Sequence, residues 1–149
     1  MPTTSRSRLI EAPPERLFEI VSDPHNLPRW WPRVTRVEAV HGPSRRAGAS
    51  WTTVMETAAG KAVRADHGCT RSEPPGAYAW QQEVEGTPFE RILREAMTTV
   101  TLEPAAGATE VTIAVRQRLR RFARLGVLQV KRATARTLDG ALDGLERAL

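Results

Sequence analysis

The sequence predicts an α+β protein: a curved antiparallel sheet of about seven strands wrapped around one long C-terminal helix, with a short helical region after the first strand. Three observations carry this prediction. Segments with β-like alternation follow one another from residue 33 to residue 120, separated by close-set Gly and Pro turns, as in an antiparallel meander. From residue 122 onward the apolar residues recur at steps of three and four instead. A sheet with one apolar face needs a cover, and the terminal helix alone has the apolar length to supply it.

The first strand is SRSRLIEA, residues 5–12, which alternates loosely and is stopped by Pro13-Pro14. In PPERLFEIVSDP a proline opens the first helical turn, Glu15 sits near the positive end of the helix dipole, and Leu17, Ile20 and Val21 share one face. Asp23-Pro24 closes this short helix. Next comes HNLPRWWPRV, where Trp30 and Trp31 stand side by side between Pro28 and Pro32, a context in which neither regular helix nor strand is expected to continue.

Strand signals follow at 33–42, 47–57, 60–72, 76–86, 90–104 and 107–120, punctuated by Gly60, Pro74-Pro75-Gly76, Gly86-Thr87-Pro88 and the Pro104-to-Gly107 turn. The last element carries Phe122, Leu125, Leu128, Ala135, Leu138, Leu142, Leu145 and Leu149 on one stripe, with Arg132 among them. Gly126, Gly140 and Gly144 each lower helix propensity by up to ~1 kcal/mol relative to Ala, so packing has to hold this helix in place.

With 149 residues, 40% of them hydrophobic and 26% charged, the chain is expected to form one globular domain over 1–149. Its single cysteine, Cys69, excludes an internal disulfide and a cysteine-rich zinc cluster. His25, His41 and His67 lack metal-ligand spacing, so no metal is expected. The N-terminal stretch MPTTSRSRLIEAPPE has no signal-peptide apolar run, and no segment approaches the ~20 apolar residues of a membrane span, which makes a cytoplasmic location the expectation. The net charge of +5 is spread among interspersed acidic residues, with one local excess at RQRLRRFARL, residues 116–125, read as a solvated strand end and helix start.

Three stretches together resemble the START-like helix-grip superfamily (SRPBCC), and within it the polyketide cyclase/dehydrase-type proteins: IEAPPERLFEIVSDPHNLPRWWPRV at the start, GATEVTIAV after TLEP, and LDGALDGLERAL at the end. The resemblance covers essentially the whole chain and implies a sheet gripping the terminal helix around an elongated cavity. Such cavities typically receive lipids, polyketides, sterols or aromatic metabolites, and cofactors are not typical.

Strand alternation then nominates the cavity wall. Val63, Ala65, His67 and Cys69 share a face, as do Tyr78, Trp80 and Val84; Ala96, Thr98, Val100 and Leu102 form a third such face and Val111, Ile113, Val115 and Gln117 a fourth. On 51–55 the bulk of Trp51 and Met55 places them inside with Thr53, against Thr52 and Val54. Of the two adjacent indoles, one is expected to fill the core and the other to face the cavity mouth. Phe122, Leu125, Gln129 and Arg132 on the terminal helix complete the candidate ligand contacts. Arg94, in phase with Ala96, is a further cation, and it and Arg132 each either meet a ligand or snorkel outward.

His67 is the candidate catalytic residue, a general base if it stands on an apolar wall, or a histidine satisfied by a neighbour. Cys69 is read as a small buried hydrophobe more readily than as a nucleophile. The expected function is binding of a hydrophobic or aromatic small molecule, with a cofactor-independent polyketide cyclase/dehydratase as the enzymatic alternative. The expected partners are that ligand and, as an open option, a second copy in a homodimer, with no specific nucleic acid and no membrane insertion; a third class, binding to nucleic acid or an anionic membrane through residues 116–132, would show affinity that falls steeply with salt.

Overall fold

The computed structural model describes residues 3–120 and 126–149. Strand β1 (Thr3–Ile10) is followed by helix α1 (Pro14–Val21), where Pro occupies the first turn with Glu15 and the inner face buries Leu17, Phe18, Ile20 and Val21. The Asp23 carboxylate then accepts the backbone N–H of His25 at 3.0 Å and starts a single 3₁₀ turn over Pro24–Asn26.

That turn runs into a one-turn helix, α2 (Leu27–Trp30), which corrects the expectation that the tryptophan segment is irregular. Pro28 lies within the first turn, where its missing N–H costs nothing. Trp31 precedes Pro32, which disfavours the helical region for the residue before it, and its backbone is extended at φ −89° and ψ 126°. The two indoles leave the chain in different conformations and therefore in different directions.

One seven-stranded antiparallel sheet follows from β2 (Val34–His41), β3 (Ser50–Glu56), β4 (Ala62–Glu73), β5 (Ala77–Gln82), β6 (Leu93–Ala105) and β7 (Ala108–Leu119), in the spatial order β1-β7-β6-β5-β4-β3-β2. Several strand limits differ from the sequence reading: β1 is Thr3–Ile10 rather than 5–12, and β3 starts at Ser50 rather than at 47. β5 ends at Gln82, so Val84 is buried beyond the strand, and β6 begins only after a 3₁₀ turn at Pro88–Arg91.

Register lines up the inner face in rows. Trp51 pairs with His67 and His67 with Gln82; one step along, Cys69 pairs with Trp80, Trp80 with Thr98 and Thr98 with Val115.

Helix α3 (Val127–Ala148) lies across that face and buries Ala135, Leu138, Ala141, Leu142 and Leu145. Phe122 and Leu125 lie outside the described residues. Leu128 has the phase of the apolar stripe and is nevertheless 63% exposed, because residues 128 to 133 are mostly solvent-facing and the packed part of the helix begins only at Ala135. The two ends of the chain are also tied together: Arg8 of β1 binds Asp143 and Glu146 of α3 at 2.6 and 2.7 Å, and Arg6 meets Asp139 at 3.3 Å. Among the described residues no helix is long and apolar enough to cross a membrane.

Candidate functional site

Sheet and helix do not meet everywhere. Between them lies a cavity of about 260 Å³. Its sheet wall is formed by Trp51, Thr53, Met55 and His67 on β3 and β4, with Trp80, Thr98, Val115 and Gln117 on β5 to β7. Trp31 closes one side from the segment after α2, and Ala133, Thr134, Thr137 and Leu138 of α3 form the roof. Nine of the strand residues nominated from sequence, the eight sheet residues above and Ala96, are thus brought to one void by strand alternation combined with the observed register.

The tryptophans converge on Trp80. Its ring centroid lies 5.6 Å from that of Trp31, 6.3 Å from Trp51 and 6.4 Å from Trp30, with interplanar angles of 74°, 68° and 78°. These are edge-to-face pairings, which suit the ring quadrupoles. Trp30 is only 2% exposed and sits in the core, whereas Trp31, Trp51 and Trp80 line the cavity.

His67 is held by its neighbours. Its ring lies near-parallel to that of Trp51, at 23° with centroids 6.0 Å apart, and its Nε2 is 3.1 Å from the Thr53 hydroxyl oxygen. The single proton of that hydroxyl goes to the Ala65 carbonyl, 3.3 Å away, when Nε2 carries the hydrogen of the shared contact, and to Nε2 in the other tautomer. Nδ1 is buried and has no partner among the described residues. Burial disfavours the charged imidazolium and pulls the His67 pKa down to about 4, against a small opposing pull from Asp66. The sequence expectation of a base tuned near neutrality therefore gives way to an imidazole that is neutral at pH 7 and a weak proton acceptor.

Of the wall positions nominated by alternation, Val63, Ala65, Tyr78, Val84, Val100, Leu102, Val111 and Ile113 do not line the cavity, and neither do four of the candidate ligand contacts. Trp30 is taken up by the core, as one of the two indoles was expected to be. Cys69 is buried in the core cluster beside its ladder partner Trp80 and does not line the void, and burial pushes its thiol pKa up, which suits a small hydrophobe better than a nucleophile. Gln129 and Arg132 are exposed on the first turns of α3, ahead of the point where the helix reaches the sheet. Arg94 is exposed as well. Arg116, Arg118, Lys131 and Arg132 are exposed within the basic stretch.

Reading from sequence missed Gln82, Leu27, Val34 and the helix residues Ala133, Thr134, Thr137 and Leu138 as wall positions. Gln82 has the same parity as Tyr78 and Trp80, which is the signal that identifies it. Thr134 and Thr137 flank the apolar stripe by one position, a signal visible only once the face toward the sheet is known. Among the described residues no three His, Cys, Asp or Glu side chains converge as a metal site.

The family model described as polyketide cyclase / dehydrase and lipid transport matches residues 1–149. No curated protein matches the chain. Among solved structures, TTHA0849 from Thermus thermophilus is similar at 23% identity, with 98% of this chain and 95% of that one covered and a TM-score of 0.77. The di-domain ARO/CYC BexL from the BE-7585A biosynthetic pathway superposes at 21% identity over 99% of this chain with a TM-score of 0.78, and this chain spans 46% of its length. Ara h 8.0201 matches at 19% identity over 99% of this chain and 96% of its own, with a TM-score of 0.69. At these identities the likeness is one of fold.

Proposed function

The chain belongs to the polyketide cyclase / dehydrase and lipid transport family, and on that premise we propose that residues 1–149 form a ligand-binding domain that holds a hydrophobic or aromatic small molecule between the sheet and α3. The observation that carries this reading is the cavity itself, walled by three indoles, Met55 and Val115. An apolar guest there gains roughly 25 cal/mol per Å² of apolar area removed from water. Trp31, Trp51, Met55, Trp80 and Val115 supply that area; His67, Thr98 and Gln117 orient the guest.

Identification by mass spectrometry of small molecules released on denaturing the purified protein tests the reading, together with quenching of indole fluorescence on adding aromatic compounds. A co-purified apolar molecule, or saturable quenching that disappears in Trp31→Ala, supports it. Non-saturable quenching by every aromatic compound tried, with nothing co-purified, counts against it.

A second reading, a cyclase or dehydratase that folds a polyketide-like chain in the same cavity, rests on the buried, unpartnered Nδ1 of His67. The depressed pKa makes that nitrogen a poor base at neutral pH, which is why binding is the preferred reading. If His67→Gln kept ligand binding and abolished turnover of a candidate substrate, the enzymatic reading would take precedence.

A further inference from the structure

Every polar side-chain group on the wall of the cavity is a hydroxyl, a carboxamide, an indole N–H or a neutral imidazole; among the described residues no Asp, Glu, Lys or Arg lines it. An ion carried into this space would lose its hydration and meet no side chain of opposite charge; an anion finds no compensation at all and a cation only the indole faces. The hydroxyls and carboxamides are not evenly spent. Thr134 on α3 donates to the Gln117 side-chain oxygen at 3.2 Å, which fixes the orientation of that carboxamide and leaves its NH₂ as an uncommitted donor. Thr98, a diagonal neighbour of Gln117 on the same face, has its hydroxyl in no hydrogen bond with another described residue.

We propose that the cavity selects uncharged ligands of one or two fused aromatic rings, with an acceptor oxygen that takes a hydrogen bond from the Gln117 carboxamide while the rings lie among Trp31, Trp51 and Trp80. The size limit follows from the volume: an apolar cavity of about 150 Å³ holds benzene, and 260 Å³ gives room for a second ring rather than for a long acyl chain. Gln117 is then the specificity-determining residue and Thr134 the residue that positions it. The proposal rests on the ligand-binding reading and narrows it to a class of ligand.

Four ligands on one naphthalene ring system, the last three with substituents of similar size, test it by isothermal titration calorimetry on the intact protein at pH 7: naphthalene, 2-naphthamide, 2-naphthoate and 2-naphthylmethylammonium. The expected order has 2-naphthamide at least tenfold tighter than either ion. In Gln117→Leu the amide loses fivefold or more while naphthalene is unchanged; Thr134→Val produces a smaller loss of the same kind. Naphthoate or the ammonium binding as tightly as the amide overturns the selectivity and leaves the ligand-binding reading standing, and so does a Gln117→Leu protein in which both neutral ligands weaken equally. Binding of none of the four overturns both.

Discussion

Gly144 of α3 lies directly against the backbone of Trp30: a Cβ placed on that glycine would come within 2.6 Å of the Trp30 Cα. One turn earlier, a Cβ on Gly140 would meet Pro32 Cγ at 2.8 Å. The two glycines that weaken α3 as an isolated helix are therefore the ones that let the Trp30–Pro32 segment settle on it. Arg29 completes the junction by donating to the Ala148 carbonyl at 2.9 Å, at the open end of the helix.

This junction makes Gly144→Ala destabilising in spite of the ~1 kcal/mol that alanine gains in helix propensity. Backbone has to move, and overpacking of this kind costs about 1–3 kcal/mol. Gly140→Ala, which meets only a proline ring edge, is expected to cost less. Urea unfolding of the two variants gives the ranking; Gly144→Ala as stable as the parent protein would refute the close approach.

The two adjacent indoles are expected to separate by mutation. Trp30→Ala removes a fully buried side chain and should cost about 3–5 kcal/mol. Trp31→Ala, at the cavity wall, should lose less stability and weaken 2-naphthamide binding about tenfold, the equivalent of ~1.4 kcal/mol. Denaturant midpoints and calorimetric titration read the two effects; equal loss of stability would contradict the division of roles.

His67 predicts a pH dependence with a definite sign. Its pKa is about 4 in the folded protein and 6.5 when free. Above pH 6.5 both states are neutral at this site and it contributes no slope. As pH falls from 6.5 to 4 the unfolded chain takes up a proton that the folded one refuses, so stability drops, by up to about 3 kcal/mol, and levels off below pH 4. His67→Gln should flatten that part of the stability curve. An NMR titration of the ring in the folded protein with a midpoint near 6.5 would remove the effect altogether.

Arg8 clips β1 to α3 through two carboxylates, which raise its already high pKa. All three groups keep solvent contact, so Arg8→Ala is expected to cost no more than about 1 kcal/mol, and less in high salt. Thermal unfolding at low and high ionic strength measures it, and a salt-independent loss would assign the effect to packing of the arginine stem.

What the sequence determined by itself is what nearest neighbours along the chain decide. Alternation placed Trp51, His67, Trp80, Thr98, Val115 and Gln117 on inward strand faces, Pro32 ended regular structure at Trp31, and the three-and-four spacing laid down Leu138, Leu142 and Leu145 as the buried stripe. Each of these follows from the two-residue and 3.6-residue periods or from the ring of proline, and needs no distant contact.

Tertiary structure decided the rest. Leu128 and Arg132 share the phase of the buried stripe yet face solvent, because phase says which way a side chain points and not whether another layer lies there. Which indole meets the cavity depends on Gly144 lying against Trp30, 114 positions earlier in the chain by subtraction of the two residue numbers. The low pKa of His67 depends on how completely Trp51 and its surroundings strip water from the ring. These properties belong to desolvation and to the places where layers end, and both arise only when segments remote in sequence come together.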